Sequence, residues 1–131
     1  MNMQQRLEEL HKRRQQVEKG GGAERLAKQR AQGKLTARER VEGLVDPGSF
    51  QESGAFAQHR ATLFGMQGKE MAADGVITGA ASLEGRLIHL ASQDFSVAGG
   101  SAGELHCAKI ADIMGQSLKT GSPFVFINDS G

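Results

Sequence analysis

The apolar positions fall into two regimes that change near residue 47. Up to that point they recur at helical spacing. Beyond it they gather into short, nearly unbroken runs. Gln4 to Lys19 repeats Leu7, Leu10, Arg14 and Val17 at three to four residues, which predicts a helix with a thin apolar stripe that needs a neighbour to cover it. Gly20-Gly-Gly22 breaks it, and Ala23 to Gln32 predicts a second helix closed by Gly33; the two read together as a helical hairpin. Thr36-Ala-Arg-Glu39 is a capping box opening a short helix that turns Val41, Leu44 and Val45 inward and stops at Asp46-Pro-Gly48.

From Phe50 to Phe64 the pattern alternates poorly, and Phe50, Phe56, Leu63 and Phe64 are the core candidates. Gly65 to Asp74 is a polar loop. Gly75 to Ala81 and Arg86 to Ser92 then read as two strands joined through Leu83-Glu-Gly85, an antiparallel hairpin. Gln93 to Gly103 is a glycine loop. A helix follows from Ser101, boxed by Glu104, with Leu105, Ala108, Ile110, Ile113, Met114, Ser117 and Leu118 on its apolar side. Lys119, Gly121 and Pro123 end it. Phe124-Val-Phe-Ile127 has no polar alternation, as expected for a strand covered on both faces. A strand, a crossover helix and a second apolar strand predict a parallel pair. The chain then runs into Asn128-Asp-Ser-Gly131 at the carboxyl end of that strand, where open α/β sheets bind ligands, and it reads as a fragment.

Composition narrows the function classes. The 131 residues allow one modest domain, and 18 glycines give loops a large share. One cysteine rules out an internal disulfide; no run has the length of a membrane span, and the first residues are too polar for a secretory signal, so the expected setting is cytoplasmic. Residues 1 to 46 carry 11 Lys/Arg against 7 Asp/Glu, and the remainder carries 5 against 8. The basic front suits a polyphosphate ligand such as a nucleotide or coenzyme. It has no aromatic residue for base stacking, which disfavours nucleic acid.

Candidate chemistry is sparse. His11, His59, His89 and His106 are scattered, and the adjacent His106 and Cys107 point apart on a helix, so no metal is expected. Cys107 is expected to be a buried, inert thiol. Asp94 and Asp129 each follow a strand and read as turn formers. Lys34, Arg38 and Arg40 are placed to meet an anion near a helix start. Gly99-Gly100-Ser101 is the best ligand loop, because its glycines admit close backbone approach, although a plain turn is an equal reading. Neither G-x-G-x-x-G nor a Walker loop is present.

The motifs Lys34-Leu-Thr-Ala-Arg-Glu-Arg40, Asp46-Pro-Gly-Ser-Phe50, His59-Arg60, Asp74-Gly-Val76, Ser92-Gln-Asp-Phe95, Gly99-Gly-Ser101 with Gly103-Glu104, and Asn128-Asp-Ser-Gly131 occur in register. In that order they resemble the front end of the carboxyltransferase (beta) subunit of biotin-dependent acyl-CoA carboxylases. Thr62-Leu-Phe-Gly-Met66 is most similar to the methylmalonyl-CoA type. The resemblance implies an α/β fold: a truncated crotonase-like (ββα spiral) domain over residues 47–131, preceded by an N-terminal helical segment over 1–46. It implies transfer of a carboxyl group between carboxybiotin, carried on a partner protein, and propionyl-CoA or methylmalonyl-CoA, with no metal and no side-chain acid or base. Released CO2 is attacked by the thioester enolate after the freed biotin nitrogen takes the α proton.

Gly131 is implied as a backbone oxyanion donor, a role worth roughly 3–4 kcal/mol per donor. Arg38, Ser92, Gly99, Gly100 and Ser101 are implied near the coenzyme. Expected partners are the acyl-CoA, a biotin carboxyl carrier protein or biotin-carrying subunit, and further copies in a homo-oligomer, with no nucleic acid and no membrane span. Alone, the chain is expected to be inactive. The alternatives are an assembly module of such a complex, a decarboxylase subunit fragment, and a nucleotide-binding enzyme using Gly99-Gly100 on phosphate.

Overall fold

A computed structural model describes residues 1–131. Three helices come first: α1 (Met3–Glu18), α2 (Ala23–Ala31) and α3 (Ala37–Leu44). A four-stranded sheet follows, of β1 (Gln51–Ser53), β2 (Val76–Leu83), β3 (Arg86–Gln93) and β4 (Phe124–Ile127), with α4 (Glu104–Thr120) crossing over between the last two strands. Strand order in space is the order in sequence; the first two pairings are antiparallel and β3–β4 is parallel, with Ser92 opposite Ile127 at the carboxyl ends. No helix is long and apolar enough to cross a membrane.

The hairpin forms as its residues require. Glu84 and Gly85 both take positive φ, 50° and 79°, the two left-handed positions of a tight turn matched to strand twist. Asp46 caps that turn from outside: its carboxylate accepts from the Ser82 hydroxyl at 2.6 Å and from the Glu84 and Gly85 amides at 2.9 and 3.0 Å. These donors hold its pKa below the usual carboxylate range. The Thr36–Glu39 capping box opens α3 as expected.

The core is split by the sheet. On one face Ala37, Val41 and Val45 of the α3 region pack on Ile77, Ala81, Ile88 and Leu90; on the other, Val76, Ala91 and Ile113 meet under α4. Of the middle candidates only Phe50 packs against this core, while Phe56, Leu63 and Phe64 stand exposed, Phe64 at 97%. They lie in turns that no sheet or helix covers.

Three helical expectations need correction. First, α1 and α2 barely touch, so there is no helical hairpin. The glycine link between them serves a different purpose: a Cβ at Gly21 would lie 1.7 Å from the Ser96 carbonyl oxygen, so this link packs directly on the loop after β3. Second, α4 is not capped by Ser101. Its N-cap is Gly103, and the side chain that accepts from its first turn is Asp74, whose Oδ2 takes the His106 amide at 2.8 Å. Third, α4 buries His106, Lys109, Ile113 and Ser117, leaving Met114 and Leu118 largely exposed, and Cys107 is exposed too. The helix is turned by about one residue from its apolar stripe, which brings Lys109 onto buried carbonyl groups described below. β4 pairs in parallel as expected, but as an edge strand it is half-buried, with Phe126 exposed at 42%.

Candidate functional site

β3 and β4 end side by side, and the loop that follows each one meets the other. The first loop bends at Ala98-Gly99-Gly100, three successive residues at φ 48°, 67° and 66°. For Ala98 that conformation is strained, and strain of this kind gathers at functional sites. The second is the Asn128–Gly131 turn. Gly131 donates its amide to the Gly99 carbonyl at 2.9 Å. A Cβ at Gly100 would sit 2.1 Å from the Asp129 carbonyl oxygen, so only glycine allows the approach. The carbonyls of Val97 and Ala98 are taken by Gly100 and Ser101, whereas the amides of Ala98 and Gly99 carry no hydrogen bond within the chain. Ala98 is exposed.

Asp129 is the charged centre of the second turn. Lys34 Nζ donates to Oδ1 at 2.8 Å, and Arg40 lies 2.9 Å from Oδ2 as an ion pair too bent to count as a hydrogen bond. Lys34 also stands 4.6 Å above the Phe95 ring centroid. Beneath the turn, the Asp129 amide donates to Gln93 Oε1 at 3.0 Å, and Gln93 Nε2 lies 3.2 Å from His106 Nε2. His106 Nδ1 is 2.9 Å from the Asp74 carbonyl oxygen. Burial pushes the His106 pKa down, so the ring is neutral.

Next to it, the Lys109 ammonium donates to the carbonyls of Ala73, at 2.7 Å, and Val76. Desolvation lowers its pKa to about 8, against the attraction of Glu52 and Asp74. The first carbonyl belongs to a 3-10 turn, Ala72–Gly75, in which Ala73, Asp74 and Gly75 all take positive φ, and the second to the start of β2.

The residues singled out from sequence divide between these places. Gly99, Gly100, Ser101 and Gly131 come together where the two loops meet, Ser101 bonding its hydroxyl back to Ala98 at 2.5 Å. Lys34 and Arg40 converge on an anion as expected, but that anion is Asp129. Arg38 turns away and holds Glu52 by two hydrogen bonds of 2.8 and 3.0 Å. Ser92 is fully buried, its hydroxyl given to the Ala37 carbonyl at 3.3 Å. Sequence reasoning missed Ala98 and Gln93. Its place before two glycines is the only sequence signal for Ala98, while nothing in the spacing marks Gln93.

A groove of about 990 Å³ opens beside the Ala98 turn, between the end of α1, the Gly20–Gly22 link and the 56–72 loop. Its charged lining is Arg13, Lys19, Arg25 and Lys69 against Glu70. Glycines, backbone amides and a cationic wall are the chemistry that suits an extended anionic ligand with a carbonyl at one end.

The chain is similar to known proteins over nearly its whole length. The chain is 54% identical over 129 residues to the methylmalonyl-CoA carboxyltransferase 12S subunit of Propionibacterium freudenreichii subsp. shermanii, covering 98% of this chain and 25% of that protein. It is 49% identical over 125 residues to the propionyl-CoA carboxylase beta chain of Cereibacter sphaeroides, covering 95% and 24%. It superposes with a TM-score of 0.98, at 53% identity, on the crystal structure of the transcarboxylase 12S hexamer core with methylmalonyl-coenzyme A and methylmalonic acid bound, over 100% of this chain and 26% of that one. The mixed α/β architecture is thus that of crotonase-like carboxyltransferase chains, of which this chain spans about a quarter of the length. With the carboxyl transferase domain model matching residues 28–131, the chain belongs to that family.

Proposed function

We propose that this chain forms part of the acyl-CoA site of a biotin-dependent carboxyltransferase that moves a carboxyl group between carboxybiotin and propionyl-CoA or methylmalonyl-CoA. Residues 1–46 act as a helical front piece and 47–131 as the first part of the crotonase-like domain. The observation that carries the reading is the strained Ala98 turn with two uncommitted amides, set against the Asn128–Gly131 turn at the carboxyl ends of two parallel strands. Enolisation of a thioester places negative charge on one oxygen, and preorganised amides aimed at it are worth roughly 3–4 kcal/mol each. Ala98 and Gly99 are free to donate; Gly131 joins them by exchanging the Gly99 carbonyl for the thioester oxygen. The cationic groove suits the coenzyme's phosphates. Carboxybiotin, borne by a partner protein, supplies the CO2 and, once freed of it, the base that takes the α proton. The hexamer seen for the 12S relative makes a homo-oligomer the expected assembly.

A nitrogen-15 NMR titration of the chain tests the substrate class. Propionyl-CoA is expected to move the Ala98 and Gly99 amides together with Lys19, Arg25 and Lys69, and ADP to move the groove alone. Equal shifts at Ala98 and Gly99 with both ligands, or none with propionyl-CoA, overturn the reading.

A further inference from the structure

The polar chain beneath the two turns runs from Asp129 through Gln93 and His106 to Asp74, and chemistry fixes the role of every atom in it. The Asp74 carbonyl only accepts, so His106 Nδ1 carries the hydrogen. His106 Nε2 then holds a lone pair and takes a hydrogen from Gln93 Nε2. That sets the Gln93 amide one way round, with Oε1 toward the Asp129 N–H. His106 and Gln93 are 0% and 7% exposed, so water cannot replace either partner cheaply. The far end is fixed as well. Asp74 sits in the strained left-handed turn, its carboxylate on the His106 amide at 2.8 Å. The near end reaches the site, since the Asp129 carbonyl is the atom that abuts Gly100 and Gly131 bonds Gly99.

We propose that Gln93 and His106 are positioning residues that lock the Asn128–Gly131 turn against the Ala98–Gly100 turn and so set the spacing of the backbone donors between them. Only the use of those donors rests on the acyl-CoA reading; the lock itself is a property of the fold. His106, in its single tautomer, selects the orientation of Gln93, and Gln93 selects the position of Asp129.

Hydrogen exchange and NMR on the full chain test this, with the Leu90 and Ile113 amides as references for the body of the fold. Gln93→Leu is expected to speed exchange at the Asp129 amide about tenfold, the worth of one buried hydrogen bond, with Leu90 and Ile113 unchanged. His106→Leu, which lets the Gln93 amide rotate, is expected to do so in part. His106→Gln, whose Oε1 can stand in for the ring acceptor, is expected to restore the original rate. Ring nitrogen-15 shifts are expected to show the proton on Nδ1 at neutral pH.

Unchanged Asp129 exchange in Gln93→Leu overturns the proposal. So does an equal effect of His106→Leu and His106→Gln, a comparison that still decides if the Gln93 variant does not fold. The opposite tautomer overturns it too. Failure of the parent chain to bind propionyl-CoA sinks the substrate reading and leaves these exchange results standing.

Discussion

Lys109 shows what a single buried charge does to this fold. Its stem crosses the α4 face that packs on the sheet, and its ammonium supplies donors to two carbonyls of the strained Ala72–Gly75 turn and the start of β2. The Ala73 oxygen also takes the Val76 amide, and Lys109 adds a second, charged donor there, so the helix presents lysine where its apolar stripe alone would have placed leucine. The cost is desolvation, which brings the folded pKa to about 8 from 10.5. The sign follows. Between about pH 8 and 10.5 the unfolded chain binds more protons than the folded one, so stability rises with pH through that window, by about 3 kcal/mol in all. The chain has no tyrosine to titrate alongside it. Urea unfolding across that range is expected to show the rise in the parent chain and a flat profile in Lys109→Met. A parent profile as flat as the variant's would refute the buried-charge account.

Among the elements, what could be read in advance was whatever a local signal dictates. The β2–β3 hairpin announces itself through apolar runs around Glu84-Gly85, α3 through its capping box, and the β3–α4–β4 crossover through its apolar segments. The start of α4 was not legible, because its N-cap Gly103 has no side chain to reveal it and the carboxylate that accepts from its first turn is Asp74, before β2. Phe56, Leu63 and Phe64 look like core in any count of hydrophobicity, and only the absence of a covering element leaves them outside. At the site, Gly99-Gly100 could be read as a close-approach loop. That Lys34 and Arg40 are already matched by Asp129 could not, since it depends on β4 lying beside β3.

The two glycines are not equivalent, and this separates conformation from contact. Gly99 has open space at its Cβ position, so Gly99→Ala is expected to cost about 1 kcal/mol from positive φ alone. Gly100→Ala adds a collision with the Asp129 backbone and is expected to cost about 3 kcal/mol. Equal losses in denaturant unfolding would mean that the turns are not held as close as 2.1 Å implies.

Taken whole, the molecule is a small two-faced sheet carrying a loosely attached arm. The larger hydrophobic cluster lies under α3 and the smaller under α4, whereas α1 buries Val17 and little else. The groove proposed for coenzyme runs along that boundary, with Arg13 and Lys19 from the arm, Arg25 from α2 and Lys69 from the facing loop. All four cations are exposed, so none contributes much to folding, and each would act on a ligand phosphate across solvent. Attraction of this kind is screened over about 10 Å at 0.1 M salt and about 3 Å at 1 M.

Lys19→Glu and Lys69→Glu are therefore expected to weaken propionyl-CoA binding about threefold to fivefold each at low salt, and to leave Tm within a degree or two. Near 1 M salt the variants and the parent chain are expected to converge. The two losses should also add in free energy, because the lysines come from different segments of the chain and share no partner. Calorimetric titration at the two salt concentrations gives the answer. Binding that ignores both salt and charge reversal would place the coenzyme elsewhere on the chain, and the turn amides would then have to meet their carbonyl without help from this wall.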